Sequence, residues 1–126
     1  MLGSGLLVGF VATTDLARAT AFYRDVLGLE VVEETPIATT HSANGAVVRV
    51  TVVDQHSPPP YTVLGWTVRD IDELVTALGS RSVQFERFAG MDQDAHGVWT
   101  APGGDRVAWF RDPDGNLLSV TEPRRN

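Results

Sequence analysis

At 126 residues and 43% hydrophobic content, the chain is sized for one compact domain or for two half-size modules sharing a core. A net charge of −6 and a pI near 4.8 argue against a nucleic-acid partner, because phosphate neutralisation needs a basic surface and the ten basic side chains are scattered among sixteen acids. There is no Cys and every basic residue is Arg, which removes disulfides, thiolate nucleophiles and Schiff-base lysines and leaves only His41, His56 and His96 as imidazoles.

In chain order, Leu6 to Ala12 reads as a strand; it is too short to span a bilayer and no basic residue precedes it, so a cytoplasmic protein without a membrane partner is expected. Asp15 is placed as an N-cap, and Leu16, Ala19, Phe22, Tyr23, Val26 and Leu27 recur at helical spacing, with Gly28 as the left-handed stop. Leu29 to Glu34 reads as the next strand, broken by Pro36. A hairpin follows from about Ile37 to Val53, with its turn at Asn44-Gly45, a dipeptide that takes positive φ at both central positions. Residues 54–60 contain three consecutive prolines, cannot continue a ladder, and are expected to link a first module (1–53) to a second (61–126).

The second module opens with a strand to Val68. Asp70 and Glu73 have capping-box spacing ahead of an apolar stripe, Ile71, Leu74, Val75 and Leu78, that ends before Gly79. Strands are expected at Val83 to Phe88, Arg106 to Arg111 and Leu117 to Glu122, with Asp112-Pro113-Asp114-Gly115 turning between the last two. Residues 89–105, including Trp99, are expected to form a long loop of the kind that acts as a lid.

The two modules echo one another. Val8 to Leu16 and Val63 to Ile71 are both apolar strands ending in an Asp that opens a helix, and Asn44 to Thr51 matches Asp114 to Thr121 as a tight turn feeding a strand. Val8 thus corresponds to Val63 and Arg49 to Ser119.

Thr14-Asp15-Leu16 with Ala21-Phe22-Tyr23-Arg24-Asp25-Val26-Leu27-Gly28-Leu29, then Val68-Arg69-Asp70-Ile71-Asp72 and Phe110-Arg111-Asp112-Pro113-Asp114-Gly115-Asn116, resemble the vicinal oxygen chelate superfamily. That superfamily contains glyoxalase I, bleomycin-resistance proteins, extradiol dioxygenases and fosfomycin-resistance enzymes. The resemblance implies an α+β fold of two βαβββ modules whose mixed sheets curl into a half-barrel around a cavity, with helices outside. It also implies that metal ligands, in members that have them, would fall at Val8, Arg49, Val63 and Ser119. Two valines, a guanidinium and a hydroxyl offer a divalent cation almost nothing, and shifting by one residue recovers no ligand, so no metal or other cofactor is expected.

Arg49, among valines, shares a period-two face with Val47 and Thr51; it must pair with a carboxylate, reach solvent or meet an anionic ligand. His41, before the hairpin turn, is expected at the mouth of the cavity. With Phe10, Trp99, Trp109 and Ser119, these residues form the candidate ligand-binding set, an apolar wall with a few polar groups. The expected function is metal-independent binding of a small, partly aromatic or anionic molecule, as in the bleomycin-resistance type. The alternative is a lyase, isomerase or dioxygenase with an unusual active site, using His41 or an Asp as base. Apolar sheet edges and the proline linker further suggest a homodimer.

Overall fold

The computed structural model describes residues 1–125. The chain divides into two compact units, Met1–Ser57 and a second that begins at Pro58. Each is a four-stranded mixed sheet with its helical segment on one face.

In the first unit the order is β1 (Val8–Thr13), α1 (Leu16–Ala21) continuing into a π-helical stretch (Phe22–Val26), β2 (Glu30–Glu34), β3 (Ala38–Ala43) and β4 (Ala46–Val52), after a short 3-10 turn at Leu2–Ser4. Asp15 stays extended (φ −143°), and its Oδ1 accepts the Arg18 N–H at 3.1 Å, so the expected cap starts α1. Gly28 at φ 78° ends the helical stretch. Asn44 and Gly45 take φ 50° and 87°, which closes β3 on β4 with Ala43 opposite Ala46.

The sheet runs β1-β4-β3-β2, with β1 parallel to β4 and the other pairs antiparallel. Alternation divides its faces: Val11, Thr13, Val48 and Val50 are buried with Ala19 and Tyr23 of the helical layer, whereas Phe10 and Arg49 look the other way.

The second unit repeats this plan. β5 (Thr62–Thr67) leads into α2 (Ile71–Ser80), then β6 (Trp99–Thr100), β7 (Arg106–Arg111) and β8 (Leu117–Glu122), in sheet order β5-β8-β7-β6. Asp70 caps α2 by accepting the Glu73 N–H at 3.0 Å, and Ile71, Val75 and Leu78 are buried with Ala108, Phe110, Leu118 and Val120. Both units are therefore βαβββ, with the first and last strands parallel neighbours. The registers match too: Phe10 pairs with Arg49 as Gly65 pairs with Ser119.

Two expectations are corrected. Residues 83–88 form no strand; their only ladder contact is a single bridge from Phe85 to Phe110. The Gln93 amide holds this segment instead, accepting the Phe88 N–H and donating to the Glu86 and Gly97 carbonyls, each at 2.8 Å. The fourth strand comes from the supposed lid: Trp99 is paired with Val107 in the sheet, after a turn in which Asp94 Oδ1 accepts the His96 and Val98 N–H groups. Past its apolar stripe α2 runs on through Gly79 to Ser80; Ser82 is left-handed (φ 69°), and the Val83 N–H returns to the Leu78 carbonyl at 3.1 Å.

Candidate functional site

Arg49 is the informative residue of the first unit. Its Nε donates to Thr40 Oγ1 at 3.2 Å, and its guanidinium carbon lies 5.6 Å from the centroid of the Phe10 ring. Both neighbours follow from register, since Arg49 pairs with Phe10 on one side and with Thr40 on the other. Among the described residues Arg49 has no carboxylate within ion-pair distance. A half-buried guanidinium, held at Nε and lying over an aromatic ring, thus keeps its two Nη groups without an acceptor among the described residues.

His41 does not join it. His41 pairs with Val48, so its side chain lies on the face opposite Arg49, fully buried beneath the helical layer and 5.8 Å from the Tyr23 ring centroid. Its Nε2 shares a 3.0 Å hydrogen bond with Thr39 Oγ1, which in turn meets Thr20 Oγ1 at 3.0 Å, while its Nδ1 is buried without a partner. The expected place at a cavity mouth is therefore wrong, and His41 is a core residue.

Burial holds the His41 pKa below the ordinary imidazole value; the Arg24 charge adds to this, and Glu34 opposes it. The unfolded chain then binds this proton more readily than the folded one. Stability is expected to be intact above about pH 6.5 and to decline as the pH falls from there toward the depressed folded value, below which the slope ends. Urea titrations across pH 4.5–8 would show this, and His41→Phe should flatten the curve in that window. An unchanged slope in His41→Phe would show that other groups set the acid limit.

In the second unit, Trp109 stands beside Ser119 in register. Its ring lies 6.1 Å from that of Trp99 and edge-on to Phe88 at 5.4 Å. Gly65 leaves room for Ser119, because a Cβ at Gly65 would lie 2.8 Å from Ser119 Oγ. The result is a half-buried aromatic surface with a hydroxyl at its side. Trp99 belongs to it as a sheet residue, not as a lid.

The four positions expected from the sequence resemblance to hold a metal do not fit one. Val8 and Arg49 supply no anionic oxygen or imidazole in the first unit, and Val63 and Ser119 supply only a hydroxyl in the second. No group of three His, Cys, Asp or Glu among the described residues could hold an ion. His96 is exposed, and His56 lies after β4 near the end of the first unit.

Thr40, which orients Arg49, escaped the reading of the sequence. Its signal was the two-residue turn: once Ala43 faces Ala46, Thr40 must face Arg49.

Duplicated βαβββ units with a parallel outer strand pair, a polar anchor on one sheet and aromatics on the other define a two-module α+β protein of the glyoxalase type. The chain belongs to the Glyoxalase/Bleomycin resistance protein/Dioxygenase superfamily, whose sequence profile it matches over residues 6–120. No curated protein matches it. Similar solved structures include lactoylglutathione lyase from Agrobacterium tumefaciens, 22% identical, with a TM-score of 0.73 over 94% of this chain and 93% of that one. Another is the fosfomycin resistance protein FosX from Listeria monocytogenes, 17% identical, with a TM-score of 0.74 over 95% and 93%. A glyoxalase/bleomycin resistance protein/dioxygenase from Alicyclobacillus acidocaldarius is 21% identical, with a TM-score of 0.71 over 94% and 91%. At these identities the likeness is one of fold.

No helix among the described residues is long and apolar enough to cross a membrane.

Proposed function

We propose that this protein binds a small anionic or partly aromatic organic molecule without a metal ion, and that Arg49 reads the negative charge. The observation that carries the reading is the guanidinium fixed by Thr40 and Phe10 with no carboxylate partner among the described residues. A structural arginine at this depth is normally neutralised by the protein itself, whereas an anchor is oriented and left open for its ligand. The aromatic surface of Trp99, Trp109 and Phe88 is a second candidate, suited to stacking a planar group. The donor set at Val8, Arg49, Val63 and Ser119 supports metal independence. Acid–base chemistry through His41 has no support, because that ring is sealed under the helical layer.

Calorimetric titration with benzoate, other aromatic carboxylates and matched neutral phenols tests this. Arg49→Ala is expected to weaken the carboxylates by about 1.5 to 3 kcal/mol and to leave the neutral compounds nearly unaffected. Equal losses in both classes, or unfolding with no change of selectivity in the folded fraction, would make Arg49 structural. Elemental analysis of the protein purified without chelators is expected to find no stoichiometric Ni, Zn, Fe or Mn; about one metal per chain would overturn metal independence.

A further inference from the structure

We infer that the second unit carries a carboxylate-binding cleft of its own, where the carboxyl ends of β5 and β8 meet. An open cavity of about 450 Å³ lies there, lined by Thr67, Val68, Arg69, Glu122, Pro123 and Arg125. Both strands are parallel and end at this edge, and in open parallel sheets ligands bind outside the carboxyl ends of the strands.

Two arginines, Arg69 and Arg125, line the cleft. Arg125 is held in position by one hydrogen bond from Nη2 to the Arg69 carbonyl at 3.1 Å. Arg69 and Thr67 are both exposed, and neither side chain has a partner among the described residues. Glu122 Oε1 accepts the Ile71 N–H at 3.1 Å, and no ion pair joins Glu122 to either arginine among the described residues. Asp70 takes a further N–H of the same helix start, so α2 offers this cleft little free backbone.

Arg69 and Arg125 face Glu122 in the lining and Asp70 stands beside Arg69 at the helix start, so the cleft suits a singly charged carboxylate better than a dianion. Val68 and Pro123 supply apolar wall for the short carbon body of such a ligand.

The internal repeat shows that these charges are not required by the fold. At the matching places of the first unit stand Thr14 for Arg69, Val52 for Glu122 and Gln55 for Arg125. The scaffold forms equally well without them, which is what a site added to one copy would look like.

The test is a backbone-amide NMR titration of the full chain with sodium acetate, with sodium chloride and sodium sulfate as comparison anions at matched ionic strength. Saturable shifts at residues 67–69, 122, 124 and 125 with acetate are expected, and Arg69→Gln and Arg125→Gln should each weaken acetate binding by about tenfold or more. Both substitutions lie on exposed side chains, so folding should persist. Three results would each overturn the inference: linear shifts no larger than those of chloride, tighter binding of sulfate than of acetate, or acetate shifts confined to Thr40 and Arg49, which would assign the anion to the first unit instead.

Discussion

Asp112→Ala is expected to destabilise the protein by about 3 to 5 kcal/mol, because one buried carboxylate gathers three donors of the β7–β8 turn. Asp112 Oδ1 accepts the Asp114 N–H at 2.9 Å and the Asn116 N–H at 3.0 Å, and Oδ2 accepts from the Asn116 side-chain amide at 2.9 Å. Asp112 and Asn116 are only 6% and 2% exposed, so water cannot replace what alanine removes. The Asp-Pro-Asp-Gly-Asn run thus has a structural cause: Gly115 takes φ 85° and Arg111 donates to its carbonyl at 2.9 Å while the carboxylate gathers the rest. Asp112→Asn keeps one acceptor oxygen and should cost about 1 to 2 kcal/mol. Urea unfolding of both variants measures the difference. A loss below about 1 kcal/mol in Asp112→Ala would mean that the backbone holds the turn unaided.

Tyr23→Ala should cost a similar 3 to 5 kcal/mol or so, the usual penalty for deleting a buried aromatic and leaving a cavity. Tyr23 is fully buried, edge-on to Phe22 at 5.4 Å and tilted against His41 at 5.8 Å. A second readout separates its packing from its effect on the neighbouring ring. Since burial is the leading cause of the lowered His41 pKa, opening a cavity beside the imidazole should raise that pKa toward its ordinary value. An NMR titration of the His41 ring in the variant tests this. An unmoved pKa would show that Tyr23 does not shield the ring, and a cost below about 1.5 kcal/mol would show that the site collapses around the smaller side chain.

Much of the scaffold was legible because its signals are local. Asp15 and Asp70 announce helix starts through one short side chain, and Asn44-Gly45 specifies a turn that most residue pairs cannot make. The face of Arg49 followed from alternation along β4. His41 shows where alternation must be carried across a turn: it shares odd numbering with Arg49, yet pairing Ala43 with Ala46 puts it opposite Val48 and on the other face. What stayed hidden depends on side chains reaching across loops. Gln93 satisfies three backbone groups that a strand at 83–88 would have used in a ladder, and no propensity or periodicity marks a glutamine for that task. The two-residue strand at Trp99 is likewise too short to produce a pattern. Arg69 and Arg125 are far apart in sequence and become neighbours only once β5 and β8 end side by side.

The parallel pairing of first and last strands also sets an order of events in folding. The β3–β4 and β7–β8 hairpins close over turns of a few residues and can form on the microsecond scale. Val8 meets Val47 across 39 positions and Thr62 meets Leu117 across 55, so each sheet is expected to be completed after its hairpin and its helix have formed. The extra length of the second loop adds only about 0.3 kcal/mol of closure entropy. The two sheets should therefore share a similar late barrier, and slow steps in refolding should report on β1 and β5, the strands made first and paired last.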